Sequence, residues 1–314
     1  MNFALYLWRF GSWLVSFLPP SIVNLIAAGS GISVYYLWGA RQRVTRENFA
    51  RVLGRPVRDP EVGRVARASF ANYCHYIVEI MRYPRVPIEE IEKRVVIHES
   101  ELFRRAITGK TPVILISAHF GNMDYASAVA TRRYGPFTLA AETMKPVQLF
   151  HYLQQVRAVR GVNLVDYTHA PRKILEALKR KEWVAFLIDF GVNNQKDITN
   201  TEVSFFGAPT RFPASPAILA QRSGGPIVVV HTYLDADKQI HAVITDPFYV
   251  SKDLSREEAA QTTMQAVAHR MEQFICAHPE QWYVYRAMWP QPPPSGIPSS
   301  SQNLPSTYGS GAKI

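Results

Sequence analysis

Hydrophobic and polar positions along the chain follow two periods. Apolar residues recur at helical spacing over 43–53 (Val44, Phe49, Val52) and 63–83 (Val65, Phe70, Tyr73, Ile77, Met81), with further helical stretches at 89–96 and 102–108. A β-branched run at 113–116 then empties into His119, Gly121 and Asn122, and a helical pattern starts at Asp124. Strand-like and helical segments alternate from there: 137–141, 146–160, 162–165, 172–179 and 183–188. An extended segment at 203–206, a helix at 213–222, strands at 227–233 and 241–244, and a long helix at 255–277 follow. Alternation of this kind predicts an α/β domain on a single mixed, largely parallel sheet flanked by helices.

Two apolar runs precede this domain, 3–18 and 21–38, separated by Pro19-Pro20. The first lacks the basic start and small-residue cleavage site of a signal peptide. The second reaches the lower end of spanning length but is diluted by Gly29, Ser30, Gly31 and Ser33. Both are expected to be membrane helices that lie in or dip into the bilayer, with Trp8, Trp13, Tyr35, Tyr36 and Trp38 as interfacial anchors. The alternative is a pair of buried core helices. Residues 1–38 are thus expected to be the anchor, 39–289 the α/β domain, and the Pro-, Ser- and Gly-rich stretch 290–314 a disordered tail.

The formal charge of +10 matters through its distribution. Ten arginines (41, 43, 46, 51, 55, 58, 64, 67, 82, 85) against four acids follow the apolar start directly. Basic residues there favour an anionic membrane surface and a cytoplasm-facing domain on the cytoplasmic membrane. Nucleic acid is the other reader of such a surface, but no DNA- or RNA-binding motif is present, so no nucleic-acid partner is expected. Cys74 and Cys276 show no metal-ligand spacing, and none of the nine histidines forms an H-E-x-x-H set, so neither a disulfide framework nor a metal is expected. His151, His169, His231 and His241 have no acid at matching spacing and are assigned to structure.

Chemistry in α/β proteins sits at strand ends, which singles out His119. Asp124 is five residues on, about 140° away on a continuous helix, so the two cannot share a helix face. With His119 on the turn and Asp124 in the first helical turn, however, the carboxylate can fold back onto the imidazole N–H. The other ring nitrogen is then left as a base. Asp124 is equally well placed merely to start the helix. Asp189, ending a buried strand before Gly191, reads as a capping or loop-orienting residue.

Six blocks occur in order: His119-Phe120-Gly121-Asn122-Met123-Asp124, Ala141-Glu142-Thr143-Met144-Lys145-Pro146, Arg157-Ala158-Val159-Arg160-Gly161, Asp189-Phe190-Gly191, Thr201-Glu202-Val203-Ser204-Phe205-Phe206-Gly207-Ala208-Pro209 and His278-Pro279-Glu280-Gln281-Trp282. Their order and spacing resemble the bacterial lipid A biosynthesis acyltransferases and their relatives, including phosphatidylinositol mannoside acyltransferases, over roughly residues 40–290 and the apolar start. The resemblance implies a glycerolipid acyltransferase-like fold and acyl transfer from a thioester to a hydroxyl of a glycolipid or lysophospholipid. Acyl-CoA or acyl carrier protein would be the co-substrate, a membrane lipid the acceptor, and no cofactor is needed.

By the same likeness His119 is the general base and Asp124 its orienting partner. The likeness also implies that Glu202 shares or replaces that role, because the mannoside branch carries a matching Glu that contacts the catalytic His; a solvated Glu on an edge segment is the equal alternative. Arg157 is the implied binder of phosphate or acyl donor, with Arg160, Arg211 and Glu142 as further substrate-binding candidates. A solvated helix face is the preferred reading for Arg160 alone. Phe205 and Phe206 line either the core or an acyl pocket. Two other functions stand against acyl transfer. A catalytically silent lipid-binding protein on the same fold would be expected to lose His119 or Asp124, and a thioester or lipid hydrolase lacks its G-x-S-x-G elbow.

Overall fold

The computed structural model describes residues 3–107, 111–142, 145–166, 170–189 and 199–290. The stretch 291–314, where the tail was expected, and His169 lie outside them. Helices α1 (Phe3–Phe17), α2 (Pro20–Leu37), α3 (Gly39–Leu53) and α4 (Pro60–Arg82) come first. They are followed by α5 (Ile88–Arg94), β1 (Val95–His98), α6 (Glu101–Ala106), β2 (Ile114–Ser117), α7 (Met123–Tyr134), β3 (Phe137–Ala141), α8 (Val147–Ala158), β4 (Val162–Asp166), α9 (Ala170–Lys179) and β5 (Trp183–Leu187). A separate hairpin of β6 (Asn200–Phe205) and β7 (Ala208–Pro213) leads to α10 (Ser215–Ser223), β8 (Ile227–Leu234), β9 (Ile240–Ile244) and α11 (Arg256–Ala277).

Seven strands form one mixed sheet in the order β1-β9-β8-β2-β5-β3-β4. Every adjacent pair is parallel except β8–β9. Strand β2 is buried along its whole length because helices cover both faces. Its alternating side chains divide two cores. Ile114 and Ile116 join the large cluster with α10 and α11, whereas Val113 and Leu115 meet Phe103 and Trp183 on the other side.

Two elements depart from the periodicity. The helix expected over 89–96 stops at Arg94, and Val95–His98 becomes the edge strand β1 paired with β9. The hairpin partner β7 was not expected, because its two-residue turn is Phe206-Gly207 rather than Asn-Gly. Both turn residues have positive φ, 49° and 70°.

The amino-terminal helices pack on α4. Gly31 of α2 lies so close that an added Cβ would fall 2.4 Å from the Phe70 carbonyl oxygen, and Val23, Ala27 and Tyr35 are buried in the contact. Their outer faces are open: Phe10, Trp13, Phe17, Leu25 and Leu37 are all exposed. Among the described residues no single helix is long and apolar enough to cross a membrane. The pair Ser21–Leu37 and Gly39–Leu53 reaches that length and composition only jointly, with a 97° bend between them.

The turn after β2 is fixed by Gly121, with φ 58°. A Cβ there would sit 1.9 Å from the Thr232 carbonyl oxygen, so β8 and the turn can approach only without a side chain. Gly121→Ala is expected to lower stability by about 1–3 kcal/mol or more from backbone strain, read as a drop in denaturant midpoint with the m-value unchanged.

Candidate functional site

Strands β2 and β5 are parallel neighbours with Ser117 opposite Leu187, and the Ile188 N–H donates to the Ser117 carbonyl at 3.1 Å. Two residues further along each chain, this register sets His119 beside Asp189. His119 Nδ1 lies 2.8 Å from Asp189 Oδ1, and the His119 backbone N–H donates to Oδ2 at 2.9 Å. The indole Nε1–H of the fully buried Trp282 donates to the same Oδ2 at 3.0 Å. Three donors thus hold a carboxylate whose side chain is wholly buried, which satisfies a charge that burial alone would not tolerate.

The C-terminal segment after α11 is laced to the His119 turn from the other side. Tyr283 N–H donates to the His119 carbonyl at 2.8 Å and Gly121 N–H to the Gln281 carbonyl at 3.1 Å. Trp282 itself is pinned through its carbonyl by Ser69 Oγ at 2.8 Å and lies edge-on to Phe49 and Phe205.

Burial around the ring disfavours the charged form of His119, but the Asp189 charge and hydrogen bond outweigh it, leaving the pKa above its ordinary value. Burial likewise pushes the Asp189 pKa up, and the His119 charge with the three hydrogen bonds pulls it below the usual carboxylate value. An ionised Asp189 fixes Nδ1 as a donor, so Nε2 of the neutral ring is an acceptor. The His119 side chain is 42% exposed, which leaves the ring open to an incoming proton donor.

With this geometry in place, the comparisons are decisive: the model for bacterial lipid A biosynthesis acyltransferase matches residues 2–290. The chain belongs to this family. It is an acyltransferase of lipid biosynthesis, similar to the phosphatidylinositol mannoside acyltransferase of Mycolicibacterium smegmatis, 29% identical over 249 residues and 78% of each chain. The phosphatidylinositol mannoside acyltransferase of Mycobacterium tuberculosis is 29% identical over 293 residues, 90% of this chain and 88% of its own.

The acyltransferase does not pair His119 with Asp124 as the spacing suggested. Asp124, in the first turn of α7, points between α4 and α8 and is buried. It accepts Arg157 Nε at 2.6 Å, Arg157 Nη2 at 3.0 Å and the Tyr76 hydroxyl at 2.7 Å. The helix turns the carboxylate away from the strand end, and Arg157, 17% exposed, is occupied by it instead of facing a ligand. Arg160 also faces inward, donating to the Tyr83 and Val86 carbonyls at 2.9 and 2.6 Å over the Tyr83 ring.

Glu202 is exposed on β6, opposite Arg211 on β7, and among the described residues it has no hydrogen bond to His119. Phe205 is core, packed with Phe212 and Trp289 and supporting Trp282; Phe206 is half-buried in the hairpin turn. Glu142, just beyond β3, accepts Arg286 Nη1 at 2.7 Å, and the two charges act in opposite directions on the His119 pKa. Asp189 and Trp282 are the residues whose part the sequence hid. Their signal was a carboxylate ending the strand next to β2, readable only once strand order is known. His241, assigned no acid partner, in fact meets Asp235 at 2.8 Å.

Because Asp124 and Arg157 form a buried pair, Arg157→Ala leaves a buried charge unpartnered. A loss of about 3–5 kcal/mol is expected, measured by chemical denaturation. Asp124→Ala should cost a similar amount.

Proposed function

We propose that this acyltransferase moves a fatty acyl chain from a thioester, acyl-CoA or acyl carrier protein, to a hydroxyl of a glycolipid, with His119 as general base. The observation that carries the reading is the His119–Asp189 pair at the ends of two adjacent parallel strands, with the His119 side chain 42% exposed. Nε2 takes the proton from the acceptor hydroxyl as the oxygen attacks the thioester carbonyl. The ionised Asp189 stabilises the imidazolium. When the carbon–sulfur bond breaks, the proton passes from Nε2 to the leaving thiolate, so the ester forms, a thiol departs and the ring returns neutral. No acyl-enzyme is needed. The relatives' names favour a mannosylated phosphatidylinositol as acceptor.

The exposed apolar faces of α1 and α2 support attachment to a membrane. Arg43, Arg51, Arg55, Arg58 and Arg64 are also exposed and favour its anionic, cytoplasmic surface. The two helices would lie in or dip into the bilayer.

His119→Ala should lower transfer of labelled acyl groups about 10²- to 10⁴-fold; undiminished transfer ends the proposal. As a base, His119 must be neutral, so kcat/KM should rise with pH through a midpoint above the ordinary histidine value. Asp189→Asn removes the charge that raises that pKa while leaving the burial that lowers it, so both the rate and the midpoint should fall. The quadruple change Phe10→Ser, Trp13→Ser, Phe17→Ser and Leu37→Ser should reduce sedimentation with anionic liposomes while the α/β core stays folded, read as a retained cooperative unfolding transition, since all four side chains lie on the exposed faces of α1 and α2.

A further inference from the structure

The site of an acyl transfer of the kind proposed above needs a cation for its substrates. Acyl-CoA and acyl carrier protein both present a pantetheine phosphate, and a phosphatidylinositol-based acceptor presents a phosphodiester. The family blocks pointed to Arg157 and Arg160, but both are turned inward, onto a buried carboxylate and onto backbone carbonyls. Arg286, which no family block contains, instead meets Glu142 just beyond the end of β3, and its charge acts on His119.

Arg286 is placed by the same C-terminal segment that delivers Trp282 to Asp189. Asn48 of α3 fastens its backbone: Nδ2 donates to the Arg286 carbonyl at 2.8 Å, and Oδ1 accepts from Met288 N–H at 3.3 Å. Arg41 Nη1 donates to the neighbouring Tyr285 carbonyl at 2.7 Å. The backbone at Arg286 is therefore held in place, yet its side chain is 42% exposed and the guanidinium has a single protein partner among the described residues, Glu142 Oε2 at 2.7 Å from Nη1. Glu142 is itself 52% exposed, so this pair is of the weak, solvent-screened kind. Nε and Nη2 have no protein partner among the described residues.

A phosphate can take two parallel N–H bonds from such a fork, where Glu142 takes one. We propose that Arg286 is the anion-recognition residue of this site, and that Glu142 holds its guanidinium in place until a substrate phosphate displaces the carboxylate. The pair sits at the carboxyl edge of β3, the strand next to β5, so the bound phosphate would lie beside the reacting centre.

Equilibrium binding separates this inference from the catalytic reading, because it needs no turnover. The full chain carrying His119→Ala is titrated calorimetrically with CoA against pantetheine, and with glycerophosphoinositol against inositol. Adding Arg286→Ala should weaken one phosphate-bearing probe about tenfold or more and leave its phosphate-free counterpart unchanged. Loss on CoA assigns the phosphate to the donor, loss on glycerophosphoinositol to the acceptor. Glu142→Gln should instead tighten the same probe, an effect that a purely structural pair would not produce. In otherwise wild-type enzyme, Arg286→Ala should also move the kcat/KM midpoint to higher pH, since it removes a positive charge acting on His119. The inference is overturned if all four affinities are unaffected by Arg286→Ala, if all four fall equally, or if Glu142→Gln weakens binding. Retained transfer in the His119→Ala protein would sink the catalytic reading without touching any of these outcomes.

Discussion

The carboxylate of Asp189 is the constraint on which the site depends. It is fully buried and ionised, and it is satisfied by a backbone N–H, an imidazole N–H and an indole N–H from segments seventy and ninety-three residues away in sequence. A buried charge missing one of its donors is costly. The parallel register of β2 and β5, the positive-φ turn at Gly121 and the return of the C-terminal segment along that turn are therefore tied to one another. Ser69 of α4, Phe49 of α3 and Phe205 of the hairpin hold Trp282 in turn, so three further elements report to the same carboxylate.

A second buried carboxylate, Asp124, lies only five residues from His119 and does something different. Its partner is an arginine, which stays charged at any physiological pH, and the pair is closed on the remaining side by Tyr76. It clamps α4, α7 and α8 together. Asp189 faces a histidine, a side chain able to gain and lose a proton, which is 42% exposed. The difference between the two pairs is the identity and exposure of the partner, not the carboxylate. Helix α4 joins this clamp to the amino-terminal helices, which rest on its other residues through Gly31 and Ser12.

How far the sequence could be read followed from how local each feature is. The strands from 137–141 to 241–244 and the helices flanking them were visible because apolar period and chain breaks are properties of a few consecutive residues. The mixed, mostly parallel sheet followed from their alternation. Strand β1 was hidden inside a run of helical spacing, and β7 behind a turn with an atypical residue pair. Both acquire their form from a partner strand, β9 and β6 respectively.

What the sequence determined by itself was the class of fold, the family through its ordered blocks, the place of His119 at a strand end and the apolar, basic character of the first eighty-five residues. Which carboxylate meets that histidine was decided only by the tertiary structure. Spacing proposed Asp124, five residues away, and likeness proposed Glu202. Strand order brought in Asp189 instead, because adjacency of β2 and β5 in a parallel sheet aligns residues seventy positions apart, while the first turn of α7 carries Asp124 toward α4 and α8. A contact made across a sheet depends on which strands become neighbours, and no local pattern in the chain encodes that.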